Sequence, residues 1–128
     1  MLTSAQQWLL FSAALLGFFG VAAGAFGAHA LKQKLSTEMF SIFEVGVRYQ
    51  MYHVLVILFV CWVITVTSGA LALWAGWLFV VGTVIFSGSL YLLVLTSVKT
   101  WGAVTPIGGV ILLAGWLCLA ASAFGHRT

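Results

Sequence analysis

The stretch WLLFSAALLGFFGVAAGAFGAHAL, residues 8–31, contains no aspartate, glutamate, lysine or arginine. A helix of this length can cross the hydrocarbon core of a bilayer, which is about 30 Å thick. Lipid offers no hydrogen bonds to exposed backbone groups, so a segment that lies in the hydrocarbon must be helical. The stretch therefore predicts a membrane-spanning helix.

The whole chain shares this apolar character. Of its 128 residues, 63% are hydrophobic and only 5% are charged, whereas a soluble domain carries about 25% charged residues. So few charges cannot cover a water-facing surface, and the length leaves room for about four spans of roughly 20 residues. The net charge of +3 forms no basic stripe, so no nucleic-acid partner is expected.

Three further apolar runs predict three more spans, at about 48–67, 70–98 and 106–124. The residues TSGA (67–70) predict a tight turn, and KTWG (99–102) breaks the third run. Thr105 and Pro106 read as a helix N-cap followed by a proline at the first helical position. The expected fold is an all-α integral membrane four-helix bundle that forms a single transmembrane domain over 1–128.

The connection between the first two spans predicts a short interfacial helix. Ser41 and Glu44 fit a capping box, and Glu44 can pair with Arg48 one turn later on the same helix face. Met39, Phe40, Phe43 and Val47 form an apolar stripe beside them. The first turns of this helix are expected to lie in the headgroup layer and to lead into the second span.

The first helix is expected to be retained and not cleaved as a signal peptide. Residues 28–30 (AHA) match a signal-peptidase site, but no lysine or arginine precedes the run and its length exceeds that of a signal sequence. Basic residues then suggest an orientation. Four of them flank the first and third loops and one lies on the other side, which favours cytoplasmic loops one and three: Lys32, Lys34, Arg48 and Lys99 against Arg127.

Glycines recur at helical spacing in two of the spans. A row of glycines on one helix face lets another helix approach closely, which is the usual basis of helix association in lipid. Helix packing is therefore the expected role of Gly17, Gly20, Gly24, Gly27, Gly108 and Gly115.

Nearly all polar residues of the spans are expected on one side of the membrane, near the boundary of the hydrocarbon layer. With four alternating spans, this side holds His29, Glu44, Arg48, Tyr49, Gln50, His53, Ser87, Ser89, Tyr91 and Thr105. Two interpretations stay open. These side chains form hydrogen bonds that hold helix ends together, or they line a half-depth cavity for a proton, an ion or a small polar ligand.

Enzymatic chemistry finds little support in the sequence. No serine or cysteine is visibly partnered by a base and an orienting acid, so no catalytic residue is expected. His29, His53 and Glu44 could ligate zinc, but they lack the tight spacing of a metal site, and no metal or cofactor is expected. Cys61 and Cys118 fall in apolar segments and are expected to act as small buried hydrophobic residues.

Four ordered motifs resemble one known family. They are GAFGAHAL (24–31), VRYQMYHVL (47–55), GTVIFSGSLY (82–91) and TPIGGVILLAGW (105–116). They resemble domain-of-unknown-function family 423, small membrane proteins of bacteria with mitochondrial relatives. The resemblance implies four spans, a bacterial inner-membrane location and no known activity. The shared residues would be Gly24, Gly27, His29, Tyr49, Gln50, His53, Ser87, Gly88, Ser89, Tyr91, Thr105, Pro106, Gly108 and Gly109.

Two hypotheses about function follow. In the first, the chain is a non-enzymatic accessory protein of the membrane that assembles with itself or with another membrane protein through its glycine-rich helix faces. In the second, it is a small transporter, channel or ligand-binding protein that uses the polar residues of one side, with His29 and His53 as its ionisable groups.

Overall fold

The computed structural model describes residues 1–125, and over that range every regular element is helical. Its long helices are α1 (Ser4–Leu31), α2 (Thr37–Val66), α3 (Leu71–Thr96) and α4 (Trp101–Ser122). Each of the four is long and apolar enough to cross a membrane. The all-α membrane fold predicted from the sequence is confirmed, while Arg127, used above for orientation, lies outside the described residues.

Side-chain caps begin the first two helices. Thr3 and Gln6 form a capping box at the start of α1, with hydrogen bonds of 2.8 and 3.3 Å between backbone and side chain. Ser36 caps α2 by accepting a hydrogen bond of 3.2 Å from the backbone N–H of Met39. The capping box predicted at Ser41 and Glu44 is therefore wrong, because α2 begins four residues earlier and both positions lie inside it.

The interfacial segment and the second span form one continuous helix. α2 contains 30 residues and measures about 45 Å, which exceeds the hydrocarbon thickness of about 30 Å. This length leaves room for its first turns outside the hydrocarbon, and their position in the headgroup layer stays a prediction. The segment is the N-terminal part of α2 and not a separate helix.

The two later turns differ in how well they were predicted. Gly69, with φ of +90°, reverses the chain between α2 and α3 within the predicted TSGA turn. The predicted start of α4 at Thr105 and Pro106 is wrong, because α4 begins at Trp101 and contains Pro106 in its second turn. A proline there removes only one hydrogen bond, to the carbonyl of Gly102, and the helix tolerates it.

α1 contains a π-helical turn. Residues Ala23–Gly27 form this turn, and the N–H of Ala28 donates to the carbonyl of Ala23 five residues earlier. Such turns widen the helix by one residue, and they occur often at functional sites. The turn consists of alanine, glycine and one phenylalanine, so small side chains surround the widened backbone.

α3 and α4 pack antiparallel at very short range. A Cβ atom added at Gly108 would lie 2.5 Å from the backbone nitrogen of Phe86, so the two backbones touch at this point. In each of four contact pairs along the interface, the two residue numbers add to 194: Ser89–Thr105, Phe86–Gly108, Gly82–Leu112 and Phe79–Gly115. This constant sum shows that the two antiparallel helices keep one register along the interface.

The glycines of α1 face α2 of the same chain. We call Gly17, Gly20, Gly24 and Gly27 the glycine stripe. Added Cβ atoms at these positions would lie 2.5 to 3.3 Å from side chains of α2: Val54, Met51, Val47 and Phe43 respectively. The stripe therefore packs against α2 inside the chain, with Gly20 buried and Gly24 still exposed at its edge.

The four helices do not enclose a central channel. α2 packs between α1 and α3, and α4 packs against α3 without an extensive interface to α1 or α2 in the described part of the chain. The core lies where α1, α2 and α3 meet, with Leu9, Val60 and Ala75 fully buried. As a consequence, a groove separates α2 from α4 on the lipid-facing surface.

The two ends of the helices differ in charge and in aromatic content. All charged side chains of residues 1–125 lie on the side of the first and third loops: Lys32, Lys34, Glu38, Glu44, Arg48 and Lys99. Exposed tryptophans Trp8, Trp62 and Trp74 lie near the opposite end. Tryptophan is enriched where a helix passes from hydrocarbon to headgroups, so these residues mark the boundary on that side.

Candidate functional site

The structure distributes the ten polar candidates over several separate places. Gln50, Tyr91 and Ser87 connect α1, α2 and α3. His53 lies between α2 and α4, next to Tyr49. The remaining candidates lie at the α3–α4 interface or on the exposed surface near the first loop: Ser89, Thr105, His29, Glu44 and Arg48.

Gln50 joins three helices through its amide group. Its Nε2 donates to the carbonyl of Leu16 on α1 at 2.7 Å, and its Oε1 accepts from the hydroxyl of Tyr91 on α3 at 2.6 Å. One turn away, the hydroxyl of Ser87 donates to the carbonyl of Gly46 at 2.7 Å. A buried amide is costly unless it is hydrogen-bonded, and here both ends of the amide have partners.

His53 uses both ring nitrogens in hydrogen bonds. Nε2 lies 3.2 Å from the indole Nε1 of Trp116, and Nδ1 lies 2.8 Å from the carbonyl of Tyr49. An indole N–H can only donate and a carbonyl can only accept, so the ring is the neutral tautomer with its proton on Nδ1. His53 is buried, with the ring of Phe79 at a centroid distance of 5.6 Å.

His53 lies closer to the Leu71 end of α3 than to its Thr96 end. It is level with Phe79, which is about 12 Å along α3 from Leu71 and about 26 Å from Thr96. Measured along α2, His53 lies about 24 Å from Thr37 and about 20 Å from Val66, so it is near the middle of that helix.

Ser89 and Thr105 connect α3 to α4 through their hydroxyl groups. The two oxygens lie 2.6 Å apart, and Ser89 also donates to the carbonyl of Phe86 at 2.8 Å. Thr105 reaches the carbonyl of Trp101 at 3.4 Å. Its side chain therefore joins two helices instead of capping one.

Glu44 and Arg48 remain exposed and do not pair. Within residues 1–125 no ion pair joins them, so the predicted pairing is wrong. Holding two long exposed side chains together costs conformational entropy that offsets most of the attraction. Both instead line a cavity of about 140 Å³ beside Gly24, Ala28, Phe43 and Val47 of α1 and α2.

His29 lies apart from His53. It is exposed in the last turn of α1, and the described residues offer it neither a hydrogen bond nor an ion pair. His53 lines a cavity between α2 and α4, and His29 is not part of that lining. Histidine, cysteine, aspartate and glutamate side chains of residues 1–125 also form no group of three that could hold a metal ion.

The sequence comparisons identify the family. The family described as "Protein of unknown function (DUF423)" matches residues 23–109, about two thirds of the chain. The chain belongs to this family. The match covers the first three motifs and the start of the fourth, so the resemblance noted in the sequence is confirmed.

Relatives of this DUF423 chain are named UPF0382 membrane proteins. One from Staphylococcus haemolyticus is 50% identical over 114 residues, which cover 87% of this chain and 90% of the relative. One from Staphylococcus epidermidis is 52% identical over 109 residues, which cover 83% and 86%. No solved structure matches the chain. Together with the four apolar helices, these relatives make it a multi-pass bacterial membrane protein of uncharacterised function.

Several contacts of the DUF423 site are not apparent in the sequence. Trp116 was counted as apolar, although its N–H is the partner of His53. Gly46 is isolated in the sequence, but an added Cβ would lie 2.9 Å from the ring of Tyr91. Thr83 is buried and its hydroxyl has no partner among the described residues. Of these features, only the tryptophan N–H could be read from the sequence, as a donor that needs a partner. The contacts between helices depend on how each helix is rotated.

A groove between α2 and α4 of this DUF423 protein contains the candidate residues Tyr49 and His53. It has a volume of about 350 Å³ and is floored by α3 through Phe86. Apolar and aromatic side chains dominate its lining: Tyr49, His53, Phe86, Pro106, Gly109, Val110, Leu112, Leu113 and Trp116. We call it the α2–α4 groove.

Proposed function

We propose that this protein is a non-enzymatic accessory protein of the bacterial membrane that binds the acyl chain of a lipid in its α2–α4 groove. The groove itself is the observation that carries the proposal. α4 contacts α3 but stands away from α2, and the space between them opens sideways toward the surrounding lipid. A lateral, apolar opening at this depth admits hydrocarbon more readily than water or ions.

The length of the groove matches the depth of one leaflet. Its lining on α4 runs from Pro106 to Trp116, a distance of about 15 Å along the helix. This is half of the hydrocarbon thickness of about 30 Å, which is the depth that the chains of one leaflet occupy. Pro106 lies about 8 Å from the start of α4, so the groove begins close to the third loop.

The chemistry of the lining also favours a hydrocarbon chain. Both nitrogens of His53 are engaged, so the ring offers an apolar face and no free lone pair. Phe86 and Tyr49 pack with ring centroids 4.8 Å apart at the shallow end of the groove. Aromatic and branched side chains of this kind contact an acyl chain along its whole length.

The hydrogen bonding of the polar side chains supports a non-enzymatic role. A catalytic group must present a reactive atom to its substrate, yet Gln50, His53, Ser87 and Ser89 direct their polar atoms to other helices or to the backbone. The glycine stripe faces α2, which weakens the alternative of assembly with another protein through those glycines.

The test is photo-crosslinking with a phospholipid that carries a diazirine in its acyl chain, using the full chain in liposomes. Peptide mapping should place the label on α2 and α4 residues of the groove. Gly109→Leu should reduce this label several-fold, because an added Cβ there has no heavy atom closer than 3.9 Å and the side chain can fill the groove without a clash.

Gly88→Leu is the matched control. Gly88 also lies in open space, with nothing within 4 Å of an added Cβ, but it does not line the groove. Labelling of the groove peptides should match that of the unmodified protein. Equal labelling of the Gly109→Leu and Gly88→Leu proteins would refute the proposal.

A further inference from the structure

Glu44 and Arg48 present two opposite charges to one small cavity. They lie four residues apart on α2, so their Cα atoms are separated by about 6 Å along the helix axis. Both side chains are exposed and no ion pair joins them within the described residues. The cavity that both side chains line, of about 140 Å³, therefore offers a cation and an anion that are both available to a ligand.

The cavity lies at the depth of the lipid headgroups. On α1 it is bordered by Ala28 and Gly24, which are about 5 and 10 Å from the end of that helix at Leu31. Headgroup layers add about 5 to 8 Å on each side of the hydrocarbon core. Gly24 also belongs to the π-helical turn, and π-helical turns occur often at functional sites.

We propose that this cavity binds the headgroup of a phospholipid that carries a primary ammonium beyond its phosphate, as phosphatidylethanolamine does. The guanidinium of Arg48 would hold the phosphate through paired charge-assisted hydrogen bonds, and the carboxylate of Glu44 would accept hydrogen bonds from the ammonium. The site faces α1 and is separate from the α2–α4 groove, so it does not depend on the function proposed above.

The order of the two charges matches the order of the groups in such a headgroup. α2 runs from the first loop into the membrane, so Glu44 is nearer to water and Arg48 is deeper. In a phospholipid the phosphate is attached to the glycerol and the ammonium lies beyond it, on the water side. The deeper cation therefore meets the phosphate and the outer anion meets the ammonium.

Other common headgroups fit less well. An anionic headgroup without an ammonium, as in phosphatidylglycerol, would leave the Glu44 carboxylate without a counter-charge and close to a phosphate. The trimethylammonium of phosphatidylcholine has no N–H to donate to that carboxylate. The charges on α2 thus predict selectivity for a primary ammonium, and not merely for phosphate.

The experiment is native mass spectrometry of the full chain released from nanodiscs with equal amounts of phosphatidylethanolamine, phosphatidylglycerol and phosphatidylcholine. The unmodified protein should retain phosphatidylethanolamine in preference to both others. Glu44→Gln should lower this preference about tenfold, the effect of losing a charge-assisted hydrogen bond. Glu38→Gln, a carboxylate in the first turn of α2 that does not line the cavity, should leave it unchanged.

A charge exchange tests the order of the groups. The double variant Glu44→Arg with Arg48→Glu keeps both charges but reverses their depths, so the preference for phosphatidylethanolamine should be lost. Circular dichroism should show that all variants retain their helices, since both positions are exposed. Retained preference in Glu44→Gln or in the exchanged protein would overturn the proposal, as would a preference for phosphatidylglycerol in the unmodified protein.

Discussion

The indole N–H of Trp116 on α4 donates a hydrogen bond to Nε2 of His53 on α2 across 3.2 Å. These two helices share no extensive interface in the described chain, and the bond spans the deep end of the groove between them. Because His53 also donates to the carbonyl of Tyr49, its ring cannot rotate without losing a partner. The pair therefore holds α4 at a defined distance from α2 and sets the width of the α2–α4 groove.

Removal of the indole N–H should destabilise the protein. Trp116→Phe keeps an aromatic ring but leaves Nε2 of His53 without a donor in an apolar site. An unsatisfied buried acceptor costs about 1–3 kcal/mol, so the free energy of unfolding should fall by that amount. Unfolding in detergent, followed by circular dichroism, measures the change.

Two further variants show whether the hydrogen bond is the cause. Trp62→Phe, at an exposed tryptophan of α2, should have little effect on unfolding. Combining Trp116→Phe with His53→Phe removes the acceptor as well, so the double variant should be more stable than the sum of the two single changes predicts. Additive effects would show that the two residues are not coupled.

Loss of the Tyr91 hydroxyl should weaken the contact of α3 with α2. Tyr91→Phe leaves Oε1 of Gln50 without its donor at 2.6 Å. Hydrogen bonds between helices in membranes contribute about 0.6 kcal/mol on average and up to about 1.7 kcal/mol, and the buried position of Gln50 places the loss in the upper part of this range. Tyr52→Phe, at an exposed tyrosine, is the control, and a loss no greater than that of the control would contradict the prediction.

Replacing Gly108 with alanine, which has the smallest side chain, should disrupt the α3–α4 interface. In Gly108→Ala the new Cβ would lie 2.5 Å from the backbone nitrogen of Phe86, which cannot move as a flexible side chain can. We expect a loss of several kcal/mol or a protein that does not fold to a single state. Gly109→Ala, one position later, has 3.9 Å of space and should retain the stability of the unmodified protein in the same unfolding measurement.

The sequence predicts the number of helices and the position of the second turn because both depend on composition along the chain. Apolar runs identify the spans, and Gly69 identifies the reversal between α2 and α3. Helix starts were predicted less well. Ser41 and Thr105 both match the rules for N-terminal positions of helices. However, α2 is capped earlier in the chain, by Ser36, and α4 begins earlier, at Trp101.

The candidate site was predicted only in part, because pairing between helices depends on rotation and depth. The polar residues of α2 and α3 were recognised, yet Gln50 faces α1 and α3 while His53 faces α4. A tryptophan counted as apolar supplies the decisive donor to His53. Single glycines such as Gly46 and Gly82 were missed because close contacts at isolated positions leave no repeating pattern in the sequence.

Bulky substitution in the glycine stripe should lower stability and leave the oligomeric state unchanged. In Gly20→Leu the new side chain meets the sulfur of Met51, 2.5 Å from the added Cβ, and the Nε2 of Gln50, at 3.3 Å. It therefore pushes α1 away from α2 and strains the hydrogen bond from Gln50 to Leu16. Unfolding in detergent should show a loss of about 1–3 kcal/mol, the usual cost of overpacking a buried contact.

Light scattering of the same preparations distinguishes this effect from a role in assembly. If the stripe packs only inside the chain, Gly20→Leu and the unmodified protein should have the same molar mass in detergent at every concentration tested. Gly88→Leu, which enlarges a glycine in open space, controls for the general effect of a bulky residue. A lower molar mass in Gly20→Leu with unchanged unfolding would assign the stripe to association between chains, because only a contact outside the fold can be lost without cost to the fold.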